Sequence, residues 1–143
     1  MPLLDLVSNA VTALQAESAL YPNHVQVWMK LMGGSFLISI IFVYSRVGAR
    51  WIFTALVLNI LGLVLGKIVY PDASRTVIGT FVHLVFWPAI LWAVWRSTRQ
   101  LLFSREAKSL FNWIYIVWLA WASSLMSISL YFDLRTMISF WTD

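Results

Sequence analysis

The sequence predicts an all-α integral membrane protein: four transmembrane helices in an up-down-up-down bundle, with an N-terminal amphipathic helix at the membrane interface. Three observations carry this. Of 143 residues, 61% are hydrophobic and only 11% charged, whereas soluble domains are nearer half apolar and a quarter charged. Four apolar runs reach the roughly 20 residues that a helix needs to cross a bilayer. Basic and aromatic residues collect between those runs, where interfacial anchors belong. The runs do not alternate apolar with polar, as barrel strands would. With no cysteine in the chain, disulfide frameworks, thiolate metal sites, iron–sulfur clusters and Cys nucleophiles are excluded. Residues 1–143 read as a single membrane domain.

Residues 2–20, PLLDLVSNAVTALQAESAL, place Leu3, Val7, Ala10, Val11 and Leu14 at helical spacing with polar residues between them. Such a helix is amphipathic but too polar to span. It has no basic leader, apolar run and small-residue cleavage site, so it is not a signal peptide. It also lacks Lys and Arg, which leaves an interfacial anchor packed on its own bundle as the leading reading and docking on a partner as the other.

The first span covers about 25–44 (WMKLMGGSFLISIIFVY) and the second about 51–69 (WIFTALVLNILGLVLGKIV), joined by the tight basic turn SRVGAR. Pro71 ends the second helix, because it cannot continue the hydrogen-bond ladder. Asp72 or Ser74 can cap the third, which covers about 76–95 and carries a kinking Pro88. Residues 96–109 form the longest connection, with Leu101, Leu102 and Phe103 resting on the membrane surface. The fourth span covers about 112–132, and the tail with Met137, Ile138, Phe140 and Trp141 reads as another interfacial stub. Short connections favour antiparallel neighbours.

Orientation follows from basic residues near the span ends. Arg46, Arg50, Arg96, Arg99, Arg105 and Lys108 fall on one face, and Lys30, Lys67, Arg75 and Arg135 on the other. Asp5, Glu17, Asp72, Asp133 and Asp143 lie on that second face, with only Glu106 on the first. The basic loops are therefore expected in the cytoplasm and both termini outside, on the periplasmic side of a bacterial inner membrane. Trp and Tyr form two belts at matching heights: Tyr44, Trp51, Trp92, Trp95 and Trp113 inside, and Tyr21, Trp28, Tyr70, Tyr131 and Trp141 outside. The pI near 9.8 reflects cytoplasmic anchoring charge, which suits anionic lipid head groups. It is not a nucleic-acid signature.

Three stripes of small residues can pack helices closely. They are Gly33-Gly34 on the first span; Ala55, Asn59, Gly62 and Gly66 on the second; and Ala120, Ser123, Ser124 and Ser127 on the fourth. The leading reading is the seam of the bundle, the alternative an oligomer or hetero-complex interface. The four runs hold no Asp or Glu, so a proton-driven exporter of the small multidrug type lacks its carboxylate. No His/Asp or His-x-x-x-His set supports intramembrane proteolysis, and Lys30 and Lys67 lie close enough to the surface to snorkel.

The two histidines hold most of the remaining chemistry. His24 and His83 are each followed by Trp at the fourth position, Trp28 and Trp87, and Ser45-Arg46 is echoed by Ser104-Arg105. This suggests an old duplication of a two-helix unit. Two imidazoles can ligate haem or copper. Yet Arg46 lies 22 residues after His24 and Arg96 only 13 after His83, a depth difference of about 13 Å at 1.5 Å per residue. The expected roles are an interfacial polar residue for His24 and an interhelical hydrogen-bond donor for His83. A metal site is the alternative. Thr76, Thr80, His83 and Trp87 share one helix face, the place for a small ligand such as a quinone head group.

No phosphate loop, catalytic triad or nucleic-acid surface appears. The leading expectation is a non-enzymatic accessory, assembly or structural component of a membrane complex, in contact with lipid and with other subunits or its own copies. The alternatives are a small redox or ligand-binding protein (haem, copper or quinone) using His83 with or without His24, and a homo-oligomeric transporter or channel built around Asn59, Gly62 and Gly66.

Overall fold

The structure, a computed structural model, describes residues 2–103 and 109–142, with side chains as far as Ser139. The described residues form helices α1 (Leu3–Ala19), α2 (Asn23–Leu37), α3 (Ser39–Phe42), α4 (Val47–Val69), α5 (Arg75–Leu102) and α6 (Leu110–Thr142). Four helical stretches, with α2 and α3 together counted as Asn23–Phe42, are long and apolar enough to cross a membrane.

Local chemistry accounts for the joints. The Arg50 side chain donates to the carbonyls of Val43 and Tyr44, closing the basic turn on itself. Of the two cap candidates for the third span, Ser74 does the work: its Oγ accepts from the Val77 N–H at 3.3 Å. Pro88 sits inside α5 without ending it. Two span limits move. The α5 helix continues past Arg96 to Leu102, so Leu101 and Leu102 close the helix rather than lie in the connection. The expected C-terminal stub is instead the continuation of α6 to Thr142. That stretch holds no Gly or Pro, and the hydroxyls of Thr136 and Ser139 bond backward to the carbonyls of Phe132 and Thr136. Ser104, Arg105, Glu106 and Lys108 lie outside the described residues, and with them one half of the Ser-Arg echo.

The first span is interrupted at Ile38. The Ser35 carbonyl, which would accept from the Ser39 N–H in an undisturbed helix, accepts the Trp118 indole N–H at 2.9 Å. Three residues on, the Ile41 N–H tightens onto the Ile38 carbonyl at 3.0 Å, a 3₁₀-type closure. An indole from α6 has entered the ladder and loosened it.

The core runs the length of the bundle through Phe36, Phe42, Ile52, Trp87, Leu119 and Met126. Phe42 packs on the rings of Phe111, Tyr115 and Trp118 at centroid distances of 5.3–5.4 Å. The small-residue stripes divide. A Cβ on Gly62 or Gly66 would stand 2.5 Å from Val82 Cγ2 or Ile78 Cγ2, so this stripe is where α4 and α5 touch. A Cβ on Gly33 or Gly34 would meet no neighbouring atom within 4 Å. Ala120, Ser124 and Ser127 are exposed, and the Ser123, Ser124 and Ser127 hydroxyls bond to carbonyls of their own helix. The bundle seam thus uses the second stripe and leaves most of the other two uncovered. The remaining surface is rich in exposed large apolar side chains such as Ile41, Leu65, Phe81 and Val117.

Candidate ligand-binding site

Polar side chains gather at the end of the bundle where α1 arrives. Ala10 and Leu14 of α1 are buried, and Glu17 finishes the attachment. Lys67 Nζ donates to Glu17 Oε1 at 2.6 Å and to the Ala73 carbonyl at 2.9 Å. The Arg75 backbone N–H donates to Glu17 Oε2 at 2.5 Å. The Lys67 ammonium, then the Arg75 amide, holds the Glu17 carboxyl below its ordinary 4.5, because both bonds favour its charged form. Lys67 is therefore paired across helices rather than reaching alone for the surface. Nearby, the Tyr21 and Thr76 hydroxyls share a hydrogen bond of 2.8 Å.

Deeper in, four residues from three helices form one network. His83 Nδ1 lies 2.7 Å from Asp133 Oδ2 and Nε2 lies 3.2 Å from Asn59 Oδ1. Thr80 Oγ1 donates to Asp133 Oδ1 at 3.0 Å. A carboxylate only accepts, so Nδ1 carries the hydrogen. Nε2 then either carries a second proton and donates to Asn59, or accepts from the Asn59 amide turned about its χ2. In both cases both ring nitrogens are occupied, and a metal would have to displace a partner to bind. Trp87 stacks on the imidazole at a centroid distance of 3.8 Å. It is fully buried, with its indole N–H unpartnered.

These groups, Trp87 apart, line a half-open chamber of about 380 Å³ to which all four membrane-length helical stretches contribute, within the size range of small-molecule sites. Val25, Trp28, Met32 and Phe36 of α2 and Leu56 and Leu63 of α4 form its apolar side. Asn59, Thr80, His83, Ser129 and Asp133 form its polar side, and Tyr21, Arg75 and Thr76 border it at the Glu17 end. Gly33 also lines it, which explains why a Cβ there meets only space.

The predicted ligand residues are thus separated. Thr80 and His83 line the chamber, Trp87 backs it from the core, and His24 is exposed and does not line it. No group of three or more His, Cys, Asp or Glu side chains suited to a metal occurs among the described residues. Sequence reasoning missed Asp133, because it lies one position past the expected fourth span. It also missed Arg75 and the Glu17–Lys67 pair. The available signal was the spacing of Ser129 and Asp133, which sit on one face of a helix that does not stop at Phe132.

No protein-family model matches this sequence, and neither the curated proteins nor the solved structures contain a match.

Proposed function

We propose that this chain is a four-span, up-down-up-down membrane protein with both termini outside the cytoplasmic membrane, and that it holds a small amphipathic molecule in its chamber without chemically transforming it. The observation that carries the reading is the chamber itself: an apolar wall facing a few convergent polar groups. That combination is the usual composition of a small-molecule site. The occupied imidazole nitrogens favour hydrogen-bonded binding over haem or copper ligation.

A second reading, an accessory subunit of a larger membrane complex, draws on the uncovered small-residue faces around Gly34 and around Ala120, Ser124 and Ser127. Such faces let another helix approach closely. The stripe on which a homo-oligomeric channel would be built, Gly62 and Gly66, is covered by α5 of the same chain.

Native mass spectrometry of the gently extracted protein and of Gly33→Leu tests the first reading. The wild type is expected to carry a small-molecule adduct that the variant, whose new side chain projects into the chamber, has lost. An adduct retained by Gly33→Leu, or a wild type carrying only another polypeptide, would overturn it.

A further inference from the structure

We propose, resting on the binding reading above, that the occupant is a single-chain amphiphile with an anionic head, a carboxylate or a phosphate monoester, paired with Arg75. Hydrogen-bond accounting around the chamber leads there. Lys67 and Glu17 satisfy one another. Asp133 has one oxygen on His83 and the other on Thr80. Arg75 uses its backbone N–H on Glu17, but its guanidinium has no hydrogen bond, ion pair or ring contact among the described residues, although the residue is half-buried beside the chamber. Its charge bears on the Glu17 carboxylate from beyond ion-pair contact, but its fork of donors is left open, and that fork matches a carboxylate or phosphate.

Position selects where the head sits. Arg75 precedes Thr80 by about 7.5 Å of helix rise. The Asp133 carboxylate at the Thr80 level repels an anion, which confines the head to the level of Arg75, Tyr21 and Thr76. From there the α2 wall offers Val25, Trp28, Met32 and Phe36 in succession, an apolar track for a tail. Volume selects one tail. At about 30 Å³ per water-sized group, the roughly 380 Å³ available holds about twelve such groups, the head and the first part of one tail whose remainder leaves by the open side, and not the two tails of a bilayer phospholipid.

The test titrates the protein in phosphatidylcholine nanodiscs with hexadecanoate, hexadecyl phosphate and hexadecanol, which share one tail. At least one of the two anions is expected to bind about tenfold or more tightly than the alcohol, the scale of a charge-assisted hydrogen bond. A preference for hexadecanoate alone identifies a fatty acid as the source, and one for hexadecyl phosphate alone a single-chain lipid phosphate. Arg75→Gln, which keeps the main-chain bond to Glu17, is expected to erase the preference while leaving alcohol binding in place, and Arg75→Lys to retain most of it. Equal affinities in the wild type, or a preference surviving Arg75→Gln, overturn the anionic head but leave the chamber reading standing. No binding of any of the three, or binding unchanged in Gly33→Leu, overturns the chamber reading and this proposal with it.

Discussion

Replacing Gly62 with alanine adds one methyl group at the closest approach of α4 and α5. The new Cβ would stand 2.5 Å from Val82 Cγ2 and 3.2 Å from Cγ1, about 1 Å inside the nearer van der Waals limit. Val82 is buried and β-branched, with little rotamer freedom on a helix, so relief requires the helices to part. Overpacking of this kind costs about 1–3 kcal/mol. Alanine also gains about 1 kcal/mol of helix propensity over glycine, so the net loss is about 0–2 kcal/mol. Gly33→Ala supplies the control: it gains the same propensity and meets nothing within 4 Å. The difference between the two variants isolates the steric part, about 1–3 kcal/mol. Unfolding in mixed detergent measures both, and Val82→Ala in the Gly62→Ala background should recover most of the loss by removing both Cγ atoms. Equal stabilities for Gly62→Ala and Gly33→Ala within about 0.5 kcal/mol, or no rescue by Val82→Ala, would refute the close approach.

Three further outcomes are expected. Glu17 is held below its ordinary 4.5 in the folded protein, so its contribution is complete above that pH and is lost as pH falls through the folded value. Acid unfolding monitored in detergent should therefore show a stability loss below about pH 4.5 that Glu17→Gln flattens. His83→Gln and Asp133→Asn should each destabilise the bundle by about 1 kcal/mol with strong non-additivity in a double-mutant cycle, since interhelical bonds within a membrane are of that size; additive losses would dissolve the network. In the cysteine-free background, Arg99→Cys should resist an impermeant thiol reagent applied to intact cells, and labelling there would invert the orientation.

The four long helices were legible because each is an apolar run without an acidic residue, and burial in hydrocarbon or in a core demands such a run. Their ends were not. Residues 96–102 and 133–142 mix Arg, Asp and Thr with Leu, Ile and Phe, a composition that marks an interface without saying whether the backbone stays helical. The face carrying Thr76, Thr80 and His83 followed from helical spacing alone. The partners of that face did not, because the contacts of Asp133 and Asn59 with His83 join residues 50 and 24 positions apart. The Glu17–Lys67 pair is equally non-local, requiring α1 to fold back onto α4. Gly33 and Gly62 look alike in sequence; only the neighbouring helix distinguishes a gap from a contact.

The Ser35 carbonyl committed to Trp118 has a mechanical consequence. A helix bends most easily where a side chain has replaced a rung of its ladder, so flexure of the first span concentrates at Ile38. On one side of that pivot, Phe42 is clamped by Phe111, Tyr115 and Trp118. On the other stands the part of α2 that carries Trp28, Met32 and Phe36 along the chamber. The first span thus has a fixed foot, and the segment beyond its pivot forms one wall of the chamber.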